Sequence, residues 1–207
     1  MNKVVFIRHG QTVFNAVKKF QGSSDIVLNE IGKLQASRVV LPYKNFDYGI
    51  HTGLSRSEET LQLILESNNI SITTFKVDLF KERKYGIFEG KSHDYLKENN
   101  SVLYNLWKNN ENTKIEGAET IEEVMSRMKN GLKQIYNCNK TNFIVVSHSG
   151  SMNALYKWLH NIPPNEPSGL KINNCNYYEL DYQITGNTLN FEFKMRDYIK
   201  KGSIDMD

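Results

Sequence analysis

The chain has 207 residues, of which 39% are apolar and 24% charged, with a net charge of +3. That length suits one medium domain, and so mild a charge without a Lys/Arg run argues against nucleic acid as a partner. No apolar run is long enough to cross a membrane or has the form of a signal peptide, so a cytoplasmic protein is expected. Cys138 and Cys175 have no metal or redox spacing; a disulfide between them is open, and a reduced pair is the simpler expectation.

Residues 3–7 read as a buried strand running straight into Arg8-His9-Gly10. Residues 29–40 have a helical pattern with Ile31, Leu34 and Val39 as the apolar positions and Pro42 beyond. A weaker strand at 48–50 leads into His51-Thr52-Gly53. Residues 55–65 follow as a helix, with Leu61, Ile64 and Leu65 on one side. A third strand, 73–77, ends in a mixed acidic and basic stretch. Residues 83–118 read as a helical excursion that covers a site. Thr120 to Glu123 is a capping-box sequence opening a helix through Val124, Met128, Leu132 and Ile135. Residues 143–146 form a continuous apolar run, the mark of a strand buried on both faces, and lead into Ser147-His148-Ser149-Gly150. A helix over 149–159 stops before Pro163-Pro164. Residues 177–182 and 188–195 flank Thr185-Gly186-Asn187 as a hairpin. The tail, 202–207, is expected to fray.

This alternation predicts an α/β fold, a three-layer αβα sandwich around a mostly parallel central sheet, in one domain over residues 1–207. Ligands in such folds sit at the carboxyl ends of strands, where Arg8, His9 and His148 all fall.

Phosphoryl transfer to a side chain needs a nucleophile, fixed positive charge on the phosphoryl oxygens and a proton donor for the leaving oxygen. His9 is a candidate nucleophile. Arg8 and Arg56 offer planar donor forks that match phosphate, and His148 a further donor. Glu82 could supply the proton, and Gly10 lets the backbone turn sharply beside His9. Plainer readings exist for each. Arg8 and His9 could be a structural pair, Arg56 could bridge to Glu58 or Glu59, and Glu82 could be a solvated charge among Lys81, Arg83 and Lys84. His51, His93 and His160 are expected to have no catalytic role. The sequence has no His-Glu-x-x-His spacing, no Gly-x-Ser-x-Gly elbow and no Gly-x-x-x-x-Gly-Lys loop. These gaps argue against a metal hydrolase, a serine hydrolase and a P-loop nucleotide site.

The combination is more specific than its parts. Arg8-His9-Gly10-Gln11-Thr12 resembles the signature of the histidine phosphatase superfamily, the phosphoglycerate-mutase-like proteins. Asn15 sits where that family has Asn, and Gln21-Gly22, Asp25, Leu28, Gly32 and Gln35-Ala36 resemble its next block. Thr52-Gly53-Leu54-Ser55-Arg56 is similar to its Ser-x-Leu-x-Arg block. Glu82, Gly86 and Phe88-Glu89-Gly90 resemble the block carrying the proton donor. Gly117-Ala118-Glu119-Thr120 is similar to a weaker block, and Val146-Ser147-His148-Ser149-Gly150 matches the last. The chain departs from the pattern in having Thr52 for Ser, and Ser57 where Ala is common.

The resemblance implies a phosphoglycerate-mutase-like fold and a phosphohistidine on His9. Arg8, Arg56 and His148 would form the phosphate pocket, with Asn15, Gln21 and Gly22 as further substrate contacts. Glu82 would protonate the leaving oxygen and then help deprotonate the attacking water. No metal or organic cofactor is implied. The family holds both mutases and phosphatases. The short chain and the segment from Lys84 to Gly90 favour a phosphatase of a small anionic metabolite. A phosphoglycerate mutase and a non-catalytic phospholigand-binding module are the alternatives. Lys18, Lys19, Lys81, Arg83 and Lys84 would give the mouth a positive field, or are simply solvated. Tyr95, Leu96, Leu103, Tyr104, Leu106 and Trp107 would line a lid, or are core. Oligomeric state is open, a homodimer included.

Overall fold

The computed structural model describes the backbone of residues 2–136, 142–185 and 188–194, and side chains among these as far as residue 182. Cys138, the hairpin turn at Gly186-Asn187, Met195 and the tail 202–207 lie outside the described residues. The strands are β1 (Asn2–Arg8), β2 (Tyr48–His51), β3 (Thr73–Lys76), β4 (Asn142–Ser147), β5 (Tyr177–Thr185) and β6 (Thr188–Lys194). They form one six-stranded sheet in the order β3-β2-β4-β1-β5-β6. The first four are mutually parallel; β5 pairs antiparallel with β1, and β6 antiparallel with β5.

The two central strands show why the sheet needs cover on both sides. Along β1, Val4 and Phe6 belong to one apolar cluster, and Val5 and Ile7 to the other. Along β4, Phe143 and Val145 alternate with Ile144 and Val146 in the same way. Each such side chain contributes roughly 1.5–3 kcal/mol on burial. Helices α2 (Glu30–Ser37) and α3 (Ser55–Ser67) cover one face through Ala36, Leu61, Ile64 and Leu65. Helices α6 (Ile121–Tyr136) and α7 (Ser149–Leu159) cover the other through Val124, Met128, Leu132, Met152 and Leu155. The expected three layers are therefore present.

The connections also locate the site. From β1 the chain runs through α2, β2 and α3 to the edge strand β3 along one face. It returns through α6 to β4 along the other. The adjacent strands β1 and β4 are thus left by chains running to opposite faces. Such a switch point, beyond the strands' carboxyl ends, is where α/β sheets bind ligands.

The helix expected over 29–40 differs in extent and in its buried face. Asn29 is its N-cap, accepting from the Gly32 amide at 2.8 Å, and the helix ends at Ser37. Ile31 and Leu34, expected to face inward, are 38% and 44% exposed, while Gly32 and Ala36 are buried. The reason is a close backbone approach. A Cβ on Gly32 would lie 2.0 Å from the Gln11 carbonyl oxygen, so only a side chain of hydrogen fits against the loop after β1. The Thr120–Glu123 capping box forms as expected, with the Thr120 amide donating to Glu123 Oε2 at 2.7 Å. The short helix α1 (Val13–Ala16) was not anticipated.

Residues 83–118 carry α4 (His93–Asn99) and α5 (Ser101–Asn109). They pack with Phe20 into a separate aromatic cluster holding Phe88, Leu96, Tyr104, Trp107 and Ile115. Of the stripe read as lid or core, Leu96, Tyr104 and Trp107 are therefore core, whereas Tyr95 and Leu106 face solvent. Among the described residues no helix is long and apolar enough to cross a membrane.

Candidate active site

Register brings the two histidines together. Arg8 at the end of β1 stands opposite Ser147 at the end of β4, and the His9 amide donates to the Ser147 carbonyl at 3.0 Å. His9 and His148 follow their strands directly, and their rings lie 5.1 Å apart between centroids. Both are buried.

His9 Nδ1 is 2.7 Å from the Gly10 carbonyl oxygen. A carbonyl only accepts, so Nδ1 carries the proton and Nε2 the lone pair. Burial, then the charges of Arg56 and Arg8, push this imidazole well below the usual histidine range and keep it neutral. A neutral ring with a free Nε2 is the form that attacks phosphorus.

Two guanidinium groups surround it. Arg56 enters from the first turn of α3 and is fully buried. It donates to the carbonyls of Ser24 (2.7 Å) and Gly22 (2.9 Å), and through Nε to His148 Nδ1 at 3.3 Å. It thus faces inward rather than toward Glu58 or Glu59, which contact His51 and the Leu28 amide instead. Arg8 donates through one terminal nitrogen to the Ile172 carbonyl at 2.7 Å, while its buried Nε has no hydrogen-bond partner. A buried donor left unpaired is costly in a protein interior and points to an anion as its natural acceptor.

Glu82 is not a solvated charge. Its Oε1 accepts from the amides of Arg83 (2.8 Å) and Ser151 (3.1 Å), and Oε2 from Gly150 at 3.3 Å. The carboxylate therefore sits on the N-terminus of α7, where backbone N–H groups favour negative charge. A Cβ at Gly150 would lie 2.7 Å from Glu82 Oε1 and 2.5 Å from the Tyr85 hydroxyl, so the glycine admits both.

Asn15, Gln21 and Gly22 meet beside this centre. Asn15 Oδ1 accepts from the Thr12 amide at 3.1 Å and from Asn174 at 3.3 Å, leaving its NH₂ to donate elsewhere. Gln21 Oε1 accepts from the Thr12 hydroxyl at 2.8 Å. Gly22 takes a left-handed φ of 52° that turns its carbonyl to Arg56. The remaining histidines are engaged in other ways: His93 with the Tyr104 hydroxyl, His51 with Glu58, and His160 against the Tyr156 ring.

Several positioning groups were missed from sequence. Asn174 donates to the His9 carbonyl at 2.8 Å. The Thr60 hydroxyl accepts from the Gly10 amide at 2.9 Å and so ties the loop after β1 to α3. Arg127 pairs with both Glu119 oxygens, at 2.8 and 3.0 Å, and donates to the carbonyls of Leu79 and Lys81, holding the segment that presents Glu82. Thr60 and Glu119 had a signal, Thr60 as a position after Arg56 where the family often has Thr and Glu119 in the block 117–120.

The paired histidines and the guanidinium groups of Arg8 and Arg56 thus meet at the carboxyl ends of β1 and β4, an arrangement whose chemistry suits an anion. The model of the histidine phosphatase superfamily (branch 1) matches residues 4–192, and the chain belongs to that family. A relative from Erwinia tasmaniensis, named probable phosphoglycerate mutase GpmB, is 27% identical over 187 residues, covering 88% of this chain and 86% of that protein. Two solved structures share the fold. Mycobacterial glucosyl-3-phosphoglycerate phosphatase complexed with VO3 has a TM-score of 0.80 at 20% identity, covering 93% of this chain and 97% of the other. The α-ribazole phosphatase from Shigella flexneri has a TM-score of 0.77 at 20% identity, covering 94% and 96%.

Proposed function

We infer that the protein is a phosphatase that hydrolyses phosphomonoesters of a small anionic metabolite through a phosphohistidine on His9. The observation that carries this reading is the His9 ring itself, with Nδ1–H fixed by Gly10 and a neutral ring held beside the fully buried Arg56 and the half-buried Arg8. In the first half-reaction Nε2 attacks phosphorus and the ester P–O bond breaks. Glu82, protonated at that stage, gives its proton to the leaving oxygen. In the second, Glu82 takes a proton from water, whose oxygen displaces Nε2 and releases phosphate. Arg8, Arg56 and His148 hold the transferring group, with the Asn15 NH₂ beside them. The carbonyls of Gly22 and Ser24 hold Arg56, and Gln21 holds the Thr12 hydroxyl beside Asn15. Donors fixed where charge develops are usually the largest single catalytic term.

The test is phosphate release from a panel of phosphorylated metabolites, with a chelator present and His9→Ala as control. The panel includes sugar phosphates, glucosyl-3-phosphoglycerate and α-ribazole phosphate. Release lost in the variant supports the reading; undiminished release from His9→Ala overturns it. A second reading, phosphoglycerate mutase, is favoured by the name of the sequence relatives. Interconversion of 3- and 2-phosphoglycerate without release would establish it. Binding of phosphate compounds without turnover would leave a binding module.

A further inference from the structure

His148 lies at one end of a chain of hydroxyl groups with a single direction. At the far end, Ser57 Oγ is 2.8 Å from the Leu54 carbonyl oxygen and must donate to it. Its one proton used, Ser57 Oγ accepts from Thr52 Oγ1 at 2.8 Å and from the Thr52 amide at 3.1 Å. Thr52 has then spent its own proton, so at 2.8 Å from His148 Nε2 it can only accept. His148 Nε2 therefore carries the ring proton. The other side of the ring agrees, because Arg56 Nε can only donate, and Nδ1 at 3.3 Å receives that bond on its lone pair. Thr52, Ser57 and His148 are all fully buried, so water does not substitute for any link.

This arrangement has a consequence for an incoming phosphate group. Nδ1 is the nitrogen that faces Arg56, and as a lone pair it would repel a phosphate oxygen held by that guanidinium. Reversing the chain to move the proton across the ring would take the Ser57 hydroxyl off the Leu54 carbonyl. We propose that Thr52 and Ser57 are positioning residues that hold the His148 proton on Nε2, so that Nδ1 takes up one proton when a phosphate group binds. For an ester monoanion, the O–H bond of its P–OH group breaks, the proton passes to Nδ1, and a bound dianion faces an imidazolium. For a dianion, the proton comes from solution. Arg56 Nε is released to the phosphate at the same time. The charged groups facing His148 are Arg56 from α3, Arg8 at the end of β1 and Arg127 from α6, with His9 beside it; these and burial keep the ring neutral beforehand.

The inference rests on the phosphate-site reading, and the test separates the two. Binding of sulfate and of inorganic phosphate is measured calorimetrically in buffers of differing ionisation enthalpy, which counts protons. Sulfate brings no proton of its own near neutral pH. Wild type and Thr52→Ser, which keeps the hydroxyl, should take up about one proton per sulfate. Ser57→Ala frees Thr52 to turn its proton toward Nε2 and shifts the ring proton to Nδ1, so binding should persist with uptake near zero. The pH profile follows: wild-type kcat/KM should fall about tenfold per pH unit above the second ionisation of the ester, near pH ~6, and Ser57→Ala should flatten that fall. Sulfate binding without uptake in wild type, or equal uptake in Ser57→Ala, overturns the inference and leaves the phosphate site standing. Failure of the wild type to bind either anion overturns both.

Discussion

His9 and His148 face each other with ring centroids 5.1 Å apart and carry their protons on opposite nitrogens. His9 keeps its proton on Nδ1, turned to the Gly10 carbonyl, and His148 keeps its proton on Nε2, turned to Thr52. Each ring therefore presents a lone pair, one for bonding to phosphorus and one for receiving a proton. Two adjacent imidazoles would compete for one role if their partners were alike. Here the backbone fixes one and a hydroxyl chain the other.

Because both imidazoles are buried neutral, they bind fewer protons folded than unfolded below the unfolded pKa of about 6.5. Stability therefore rises with pH in that range and is lost as pH falls below it, by up to about 1.4 kcal/mol per pH unit for each ring. His9→Asn removes one such group. Denaturant titrations at pH 7 and pH 5 should show the wild type losing more stability than the variant. Equal losses would mean that the folded His9 titrates normally.

Glu82→Gln keeps the carboxamide near the amides of Arg83 and Ser151 but has no acid proton to give. Turnover of alkyl phosphates should fall about 10²–10⁴-fold. Activated aryl phosphates, whose leaving groups need no proton, should lose far less in the phosphoryl-transfer step. Equal losses for both would remove the proton-donor role.

Gly150→Ala would drive a methyl group against Glu82 and the Tyr85 hydroxyl. Overpacking there should cost about 1–3 kcal/mol of stability. Turnover should fall more than stability implies, by about a hundredfold, since a displaced acid is poorly aligned. Thermal denaturation beside steady-state kinetics checks this; unchanged kcat would show that Glu82 tolerates the shift.

Arg127→Met leaves Glu119 without its bidentate partner and frees the carbonyls of Leu79 and Lys81. The loss should be roughly 2 kcal/mol, as for charge-assisted hydrogen bonds elsewhere. Since Glu82 follows Lys81 directly, kcat for alkyl phosphates should drop with KM little changed. A fall in stability with no change in kcat would confine Arg127 to folding.

How much of this was legible in sequence depended on whether the signal was local. The runs of apolar residues in β1 and β4 are buried on both faces, and continuous hydrophobicity marks them without a partner. Arg8, His9 and His148 follow those runs directly, so their placement could be read from the chain. The inward face of α2 could not. Gly32 is turned in by the backbone of Gln11, a contact between segments that no periodicity reports. Arg56 and Glu82 were candidates whose nearby charges, Glu58 and Glu59 for one and Lys81, Arg83 and Lys84 for the other, equally suggested surface, and only the family blocks favoured the site. Ser57 looked like a packing change. Its meaning appeared only once Thr52, His148 and Leu54 stood around it. Asn174 and Arg127 reach the site from distant parts of the chain and carried no signal at all.

The most direct measurement is to mix the enzyme with a ³²P-labelled phosphomonoester, quench in alkali within the first turnover, and map the label by peptide mass analysis. If His9 Nε2 takes the phosphoryl group, the label appears on the peptide containing His9, is lost in acid, and is absent from His9→Ala. Phosphate release that continues in His9→Ala, or label carried by another residue in the wild type, would contradict the phosphohistidine route.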